Sequence, residues 1–119
     1  MTGETIADGT TEETDPCCAP SGDVDPEAMA TDLRVLTAMG NETRYELLRR
    51  IEKADDGVCV CDLEAAVDVS QSAVSQALSR LYTAQLVTRR KEGSWRYYEA
   101  TETTSTLLET FDDLRGAHE

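Results

Sequence analysis

The 119-residue sequence predicts a mainly α fold with a small β-hairpin wing, in the order α-α-β-α-α-β-β-α, the outline of a winged helix-turn-helix. Three observations carry this expectation. Apolar residues recur at helical spacing in five stretches. Two of those stretches are short and joined through Asp68-Val69-Ser70. The second is followed by two β-favouring runs around Glu92-Gly93-Ser94. A chain of this length forms one compact domain that can stand without disulfide staples.

Residues 1–24 are rich in Thr, Gly, Asp, Glu and Pro and too poor in apolar residues to bury, so they are expected to be a disordered acidic segment. Its Cys17 and Cys18 are the chemically notable pair. The domain is expected over 25–115, with 116–119 a frayed tail that includes His118, the sole histidine. The first helix starts where Asp25 caps Pro26 and runs to Gly40, carrying Met29, Leu33 and Leu36 at helical spacing. Asn41 caps a second helix with Leu47, Leu48, Ile51 and Ala54 on one face, stopped by Asp55-Asp56-Gly57; Arg44, Arg49, Arg50 and Lys53 fall on or near its polar side.

Val58-Cys59-Val60-Cys61 reads as a brief strand, after which Asp62 caps a short helix with Leu63, Ala66 and Val67 inward. Ser70 caps a fourth helix whose buried stripe is Val74, Ala77, Leu78 and Leu81. Leu86 to Lys91 and Trp95 to Ala100 are the hairpin strands; the alternation of Trp95, Tyr97 and Tyr98 suits packing of the wing onto the domain. The last amphipathic helix carries Leu107, Leu108, Phe111 and Leu114.

Charge then separates the parts of this fold. The chain holds 24 acidic and 11 basic residues, a net −13, and only Lys53 and Lys91 of the bases are lysine; this acidic, Lys-poor, Thr-rich make-up suggests salt adaptation. Residues 1–32 contain nine acids and no base. Residues 70–98, in contrast, hold Arg80, Arg89, Arg90, Lys91 and Arg96 against Glu92 alone. The fourth helix presents Gln71, Ser72, Ser75, Gln76 and Ser79 outward, amides and hydroxyls able to contact base edges and phosphates without adding negative charge. A neutral reading face beside a basic hairpin points to double-stranded DNA.

Residues 41–100 resemble the ArsR/SmtB family of metal-sensing repressors through four segments in order: Asn41-Glu42-Thr43-Arg44, Cys59-Val60-Cys61-Asp62-Leu63, Ser70 to Leu78, and Val87 to Tyr98. The resemblance implies a homodimer that binds a partly palindromic operator and leaves it when metal binds. The first and last helices, with Met29, Leu33, Leu36, Leu107, Leu108, Phe111 and Leu114, would form its interface. Ala77 departs from the family, where many members carry His in the reading helix.

Cys59 and Cys61 are spaced so that an extended backbone points both side chains to one face, and the adjoining helix start is expected to favour the thiolate that binds soft metals. Arsenite or antimonite takes three sulfurs in a pyramid, so a further ligand has to come from Cys17 or Cys18, the other cysteines of the chain. Family members with this segment often place a third cysteine after the leucine, where this chain has Glu64. A second family arrangement joins the segment to an N-terminal extension in a thiolate-rich cadmium, lead or zinc site, which keeps those metals as the alternative. A thiol redox-sensing repressor and a metal chaperone that does not bind DNA are the remaining readings.

Catalysis is not expected: the chain has no phosphate-cradling glycine loop, no nucleophile elbow and no internal histidine base. Four cysteines without a signal-like or membrane-spanning apolar run imply reduced thiols in a cytoplasm, with no membrane and no protein substrate as partner.

Overall fold

The N-caps set the first boundaries. In a computed structural model, which describes residues 22–116, the Asp25 carboxylate accepts from the Ala28 amide and opens α1 (Pro26–Met39). Asn41 accepts from the Arg44 amide at the start of α2 (Glu42–Glu52), and Ser70 from the Ala73 amide at the start of α4 (Gln71–Thr83). Each side chain satisfies an amide that the first helical turn leaves without a partner. Between them lie β1 (Val58–Cys59) and α3 (Val60–Ala66), and after them β2 (Val87–Glu92), β3 (Trp95–Ala100) and α5 (Glu102–Gly116). Cys17, Cys18 and His118, with most of the acidic leader and the end of the tail, lie outside the described residues.

The hairpin does not stand alone. β3 is the middle strand of an antiparallel three-stranded sheet, β1-β3-β2, with Val58 opposite Tyr98 and Cys59 opposite Tyr97 on one side and Arg89 opposite Tyr98 on the other. Gly93 turns the hairpin at φ 62°. Gly57 feeds β1 at φ 94°, and a Cβ there would meet Arg90 Nη1 and the Tyr98 carbonyl at 3.1 Å, so the approach of β1 to the sheet requires glycine.

Leu47, Leu48, Ile51, Val74, Leu78, Leu81 and Leu86 form the centre of the core between α2, α4 and the sheet, closed by Leu63 from α3 and Leu108 from α5. The buried Thr104 hydroxyl donates to the Leu86 carbonyl at 2.5 Å, and the neighbouring Thr101 hydroxyl donates to the same carbonyl at 3.1 Å. Two threonines thus pin the start of α5 to the end of α4. Further along, Arg49 of α2 grips Asp112 of α5 with two guanidinium nitrogens, at 3.0 and 3.3 Å.

Four expectations from sequence need correction. The strand ends at Cys59, and α3 begins at Val60 rather than after Asp62, so Cys61 lies in its first turn. Ala66 is exposed; Val67 takes the inward position because the chain leaves the helix there. Leu108 is 1% exposed in the chain's own core, with Leu107 and Phe111 packed against it, because α5 folds back onto α2 and uses most of its apolar face within the protomer. Only Leu114 of the four α5 interface candidates stays well exposed. Trp95 sits 55% exposed at the hairpin tip, leaving Tyr98 to anchor the wing.

Candidate nucleic-acid interface and thiol site

The outer face of α4 follows from its inner one. With Val74, Ala77, Leu78 and Leu81 buried, Gln71, Ser72, Ser75, Gln76, Ser79 and Arg80 are turned to solvent. α3 packs beneath the start of α4, and Glu64 Oε1 accepts from Gln71 Nε2 at 3.1 Å, so the first residue of the α4 face is held by a side chain of α3. The wing is tied to the other end of the helix by Arg89, whose guanidinium stacks 3.9 Å above the Tyr82 ring.

The four wing cations are not equivalent. Arg90 is engaged inside the protein: it pairs with Glu92 at 2.8 Å and Glu99 at 3.5 Å and donates to the Asp56 carbonyl at 2.9 Å. The hydrogen bond to Glu92, ahead of the attraction of Glu92 and Glu99, raises its pKa further above the usual guanidinium value. That makes Arg90 a brace between the wing and the α2–β1 turn, a correction to its expected place among the DNA contacts. Arg89, Lys91 and Arg96 remain exposed, with Lys91 directly opposite Arg96 in the ladder. Like charges facing each other across strands destabilise a hairpin, and a polyanion laid along the wing relieves that repulsion.

The thiol pair lies where the sheet meets α3. Cys59 is the N-cap residue of α3 in extended conformation, is 6% exposed, and contributes no capping hydrogen bond. Cys61 is exposed one residue into the helix, and the two sulfurs are 2.7 Å apart. A disulfide would need about 2.0 Å, and two sulfurs on one tetrahedral zinc at about 2.3 Å would stand about 3.8 Å apart. The pair is thus reduced but pressed together.

The expectation that the helix start favours the thiolate is also corrected. The Cys61 thiol is pushed up, first by its hydrogen bond with Cys59 and then by desolvation, with the charges of Cys59 and Asp62 adding to the effect. A helix of seven residues is too short to outweigh two neighbouring negative charges. Among the described residues no third His, Cys, Asp or Glu joins the pair to enclose a metal ion. The two sulfurs therefore fit as part of a soft-metal site that needs a donor from elsewhere.

Along α1, Met29, Leu33 and Leu36 are 48, 50 and 59% exposed on one stripe. Among the described residues no helix is long and apolar enough to cross a membrane. Sequence reasoning did not single out Arg34, nor the hydrogen bond of Glu64 to Gln71; the second has a local signal, since Glu64 stands one turn after the thiols and seven residues before Gln71.

Residues 41–89 match the model of the bacterial regulatory protein arsR family. A protein of Halobacterium salinarum named as an arsenical resistance operon repressor is 76% identical over 119 residues, the whole of both chains. A second protein of that organism, named in the same way, is 44% identical over 88 residues, 74% of this chain and 68% of its own. The crystal structure of NolR from Sinorhizobium fredii superposes with a TM-score of 0.70 at 28% identity, covering 80% of this chain and 97% of that one.

Proposed function

The chain belongs to the arsR family of bacterial transcriptional repressors, and we propose that it binds operator DNA as a homodimer in the cytoplasm and releases it when arsenite or antimonite binds its cysteine thiolates. The observation that carries this reading is the position of the thiol pair. Cys59 belongs to the wing sheet through its pairing with Tyr97, Cys61 belongs to α3, and α3 holds Gln71 of the reading helix through Glu64. A ligand on both sulfurs bridges the two parts of the molecule that face DNA.

In this reading Gln71, Ser72, Ser75, Gln76 and Ser79 contact the major groove, and Arg89, Lys91 and Arg96 contact phosphates. Cys59, Cys61 and one of Cys17 or Cys18 supply the three sulfurs. Ligation has to spread sulfurs that stand 2.7 Å apart, which moves the first turn of α3 and with it the support of Gln71. Two global states with different operator affinity then follow from one local displacement. The names of the Halobacterium relatives support an arsenical inducer, and their salt-loving source agrees with the acidic composition.

The test is fluorescence anisotropy on DNA from upstream of the protein's own gene in molar potassium chloride, with arsenite added to the complex. Release by arsenite from the native protein, and retention of DNA by the Cys59→Ser/Cys61→Ser variant, is the expected result. Release from the variant as well would sink the thiol mechanism. Release by cadmium, lead or zinc but not by arsenite would select the thiolate-rich metal site.

The short sulfur separation favours one second reading, a redox switch. A peroxide would take two electrons and two protons from the pair, joining Cys59 Sγ to Cys61 Sγ. Release by peroxide with no response to arsenite would select that reading.

A further inference from the structure

α4 has two flanks. One meets the wing through Arg89 and Tyr82. On the other, Arg34 of α1, Arg44 of α2 and Arg80 of α4 line a groove of about 530 Å³ floored by Ala38 and Ala84. The groove is continuous in lining with a second hollow bounded by Asn41, Thr43 and Gln76, so Arg44 and Arg80 border the exposed face of α4 itself.

The charge of this groove is uncompensated. No carboxylate is among the residues lining either hollow. Among the described residues Arg49, Arg50, Arg90 and Arg115 each pair with an acid, whereas Arg34, Arg44 and Arg80 pair with none. In a chain with more than two acids per base, three unpaired guanidiniums in one place are not what solvation of a surface requires. Arg44 is held there: Nε donates to the Ala38 carbonyl at 2.7 Å and Nη2 to the Thr37 carbonyl at 3.2 Å, at the end of α1 where the helix dipole favours a cation.

We infer that this groove is a second phosphate-binding flank of the DNA interface. A major groove about 12 Å wide is bounded by two sugar-phosphate backbones. With α4 lying in it, the wing meets one backbone, and Arg34, Arg44 and Arg80 hold phosphodiesters of the other. The inference rests on the reading of α4 as the DNA-contacting helix and widens that footprint beyond the helix and wing.

The experiment measures binding of the same labelled duplex across a potassium chloride series, comparing the native protein with Arg34→Gln/Arg80→Gln and Arg34→Lys/Arg80→Lys. Arg44 is left intact because it also caps α1. Two lost phosphate contacts at about 0.9 each should make the log–log salt slope of the glutamine pair shallower by about 1.8. The lysine pair should recover most of that slope, which assigns the loss to charge rather than to folding. An unchanged slope with DNA still bound overturns this inference and leaves the α4 reading standing. Absence of DNA binding by the native protein overturns both. Inorganic phosphate that raises the melting temperature of the native protein but not of the glutamine pair, with no change in slope, would make the groove a free-anion site and also overturn the inference.

Discussion

At the scale of single residues, Glu64 holds the position that decides whether the thiols speak to DNA. It stands where related chains often carry a third thiol and instead accepts from Gln71 at 3.1 Å. The bond is exposed and adds little to stability, so Glu64→Ala should fold and bind operator with affinity within a few fold of native. Its response to arsenite should weaken, with release needing several-fold more ligand at unchanged thiol occupancy. Anisotropy and thiol titration on one sample measure both; unchanged release would show that α3 signals by another route.

The same scale shows why parts of the site were illegible in the sequence. The caps Asp25, Asn41 and Ser70 were readable because a capping side chain and its amide lie three residues apart. Cys59 was not, because it caps α3 with backbone geometry and no side-chain bond, inside a β-favouring run. Thr104 reads as one more solvated threonine until the Leu86 carbonyl, 18 residues back, is seen to take its hydroxyl. Arg90 shares its neighbours' charge, and only the turn at Asp56 and the facing Glu99 remove it from the DNA surface.

At the scale of elements, α5 is the piece whose docking responds to acid. The hydrogen bond from Arg49, outweighing desolvation, lowers the Asp112 pKa below the usual carboxylate value, and Arg115 adds to the shift. A folded-state pKa below the unfolded one means that the stabilisation is fully present above the unfolded value of about 3.9 and fades as pH falls through the lower folded value. Asp112→Asn should therefore melt below the native protein at neutral pH, with the difference shrinking as pH drops below about 4. Many other acids titrate there, so the difference between the two melting profiles is the measurement, and a constant difference would refute the assignment. Periodicity marked an apolar face on α5 without showing what covers it. Both a partner and α2 suit the same stripe, and α2 takes Leu108 because Thr101, Thr104 and Arg49 hold the helix against its own protomer.

At the scale of the whole molecule, the apolar stripe of α1 and the net charge work against each other. Met29, Leu33 and Leu36 expose an apolar surface along α1, and Leu114 is 53% exposed on α5, a pattern that association with a second copy would cover. Two chains of −13 each repel one another, and that repulsion is cut only where the screening length falls to about 3 Å, near molar salt. The dimer should consequently be complete in molar potassium chloride and dissociate as salt is lowered, opposite to the salt dependence of its phosphate contacts. Leu33→Glu/Leu36→Glu removes half of the stripe without touching the core, so the variant should keep its helical circular dichroism yet run as a monomer at every salt concentration. Operator affinity should fall with it, since one protomer meets only one half-site. Light scattering after size exclusion reads the mass directly. A native monomer in molar salt would remove the dimer from the proposal, and a dimeric variant would move the interface away from α1.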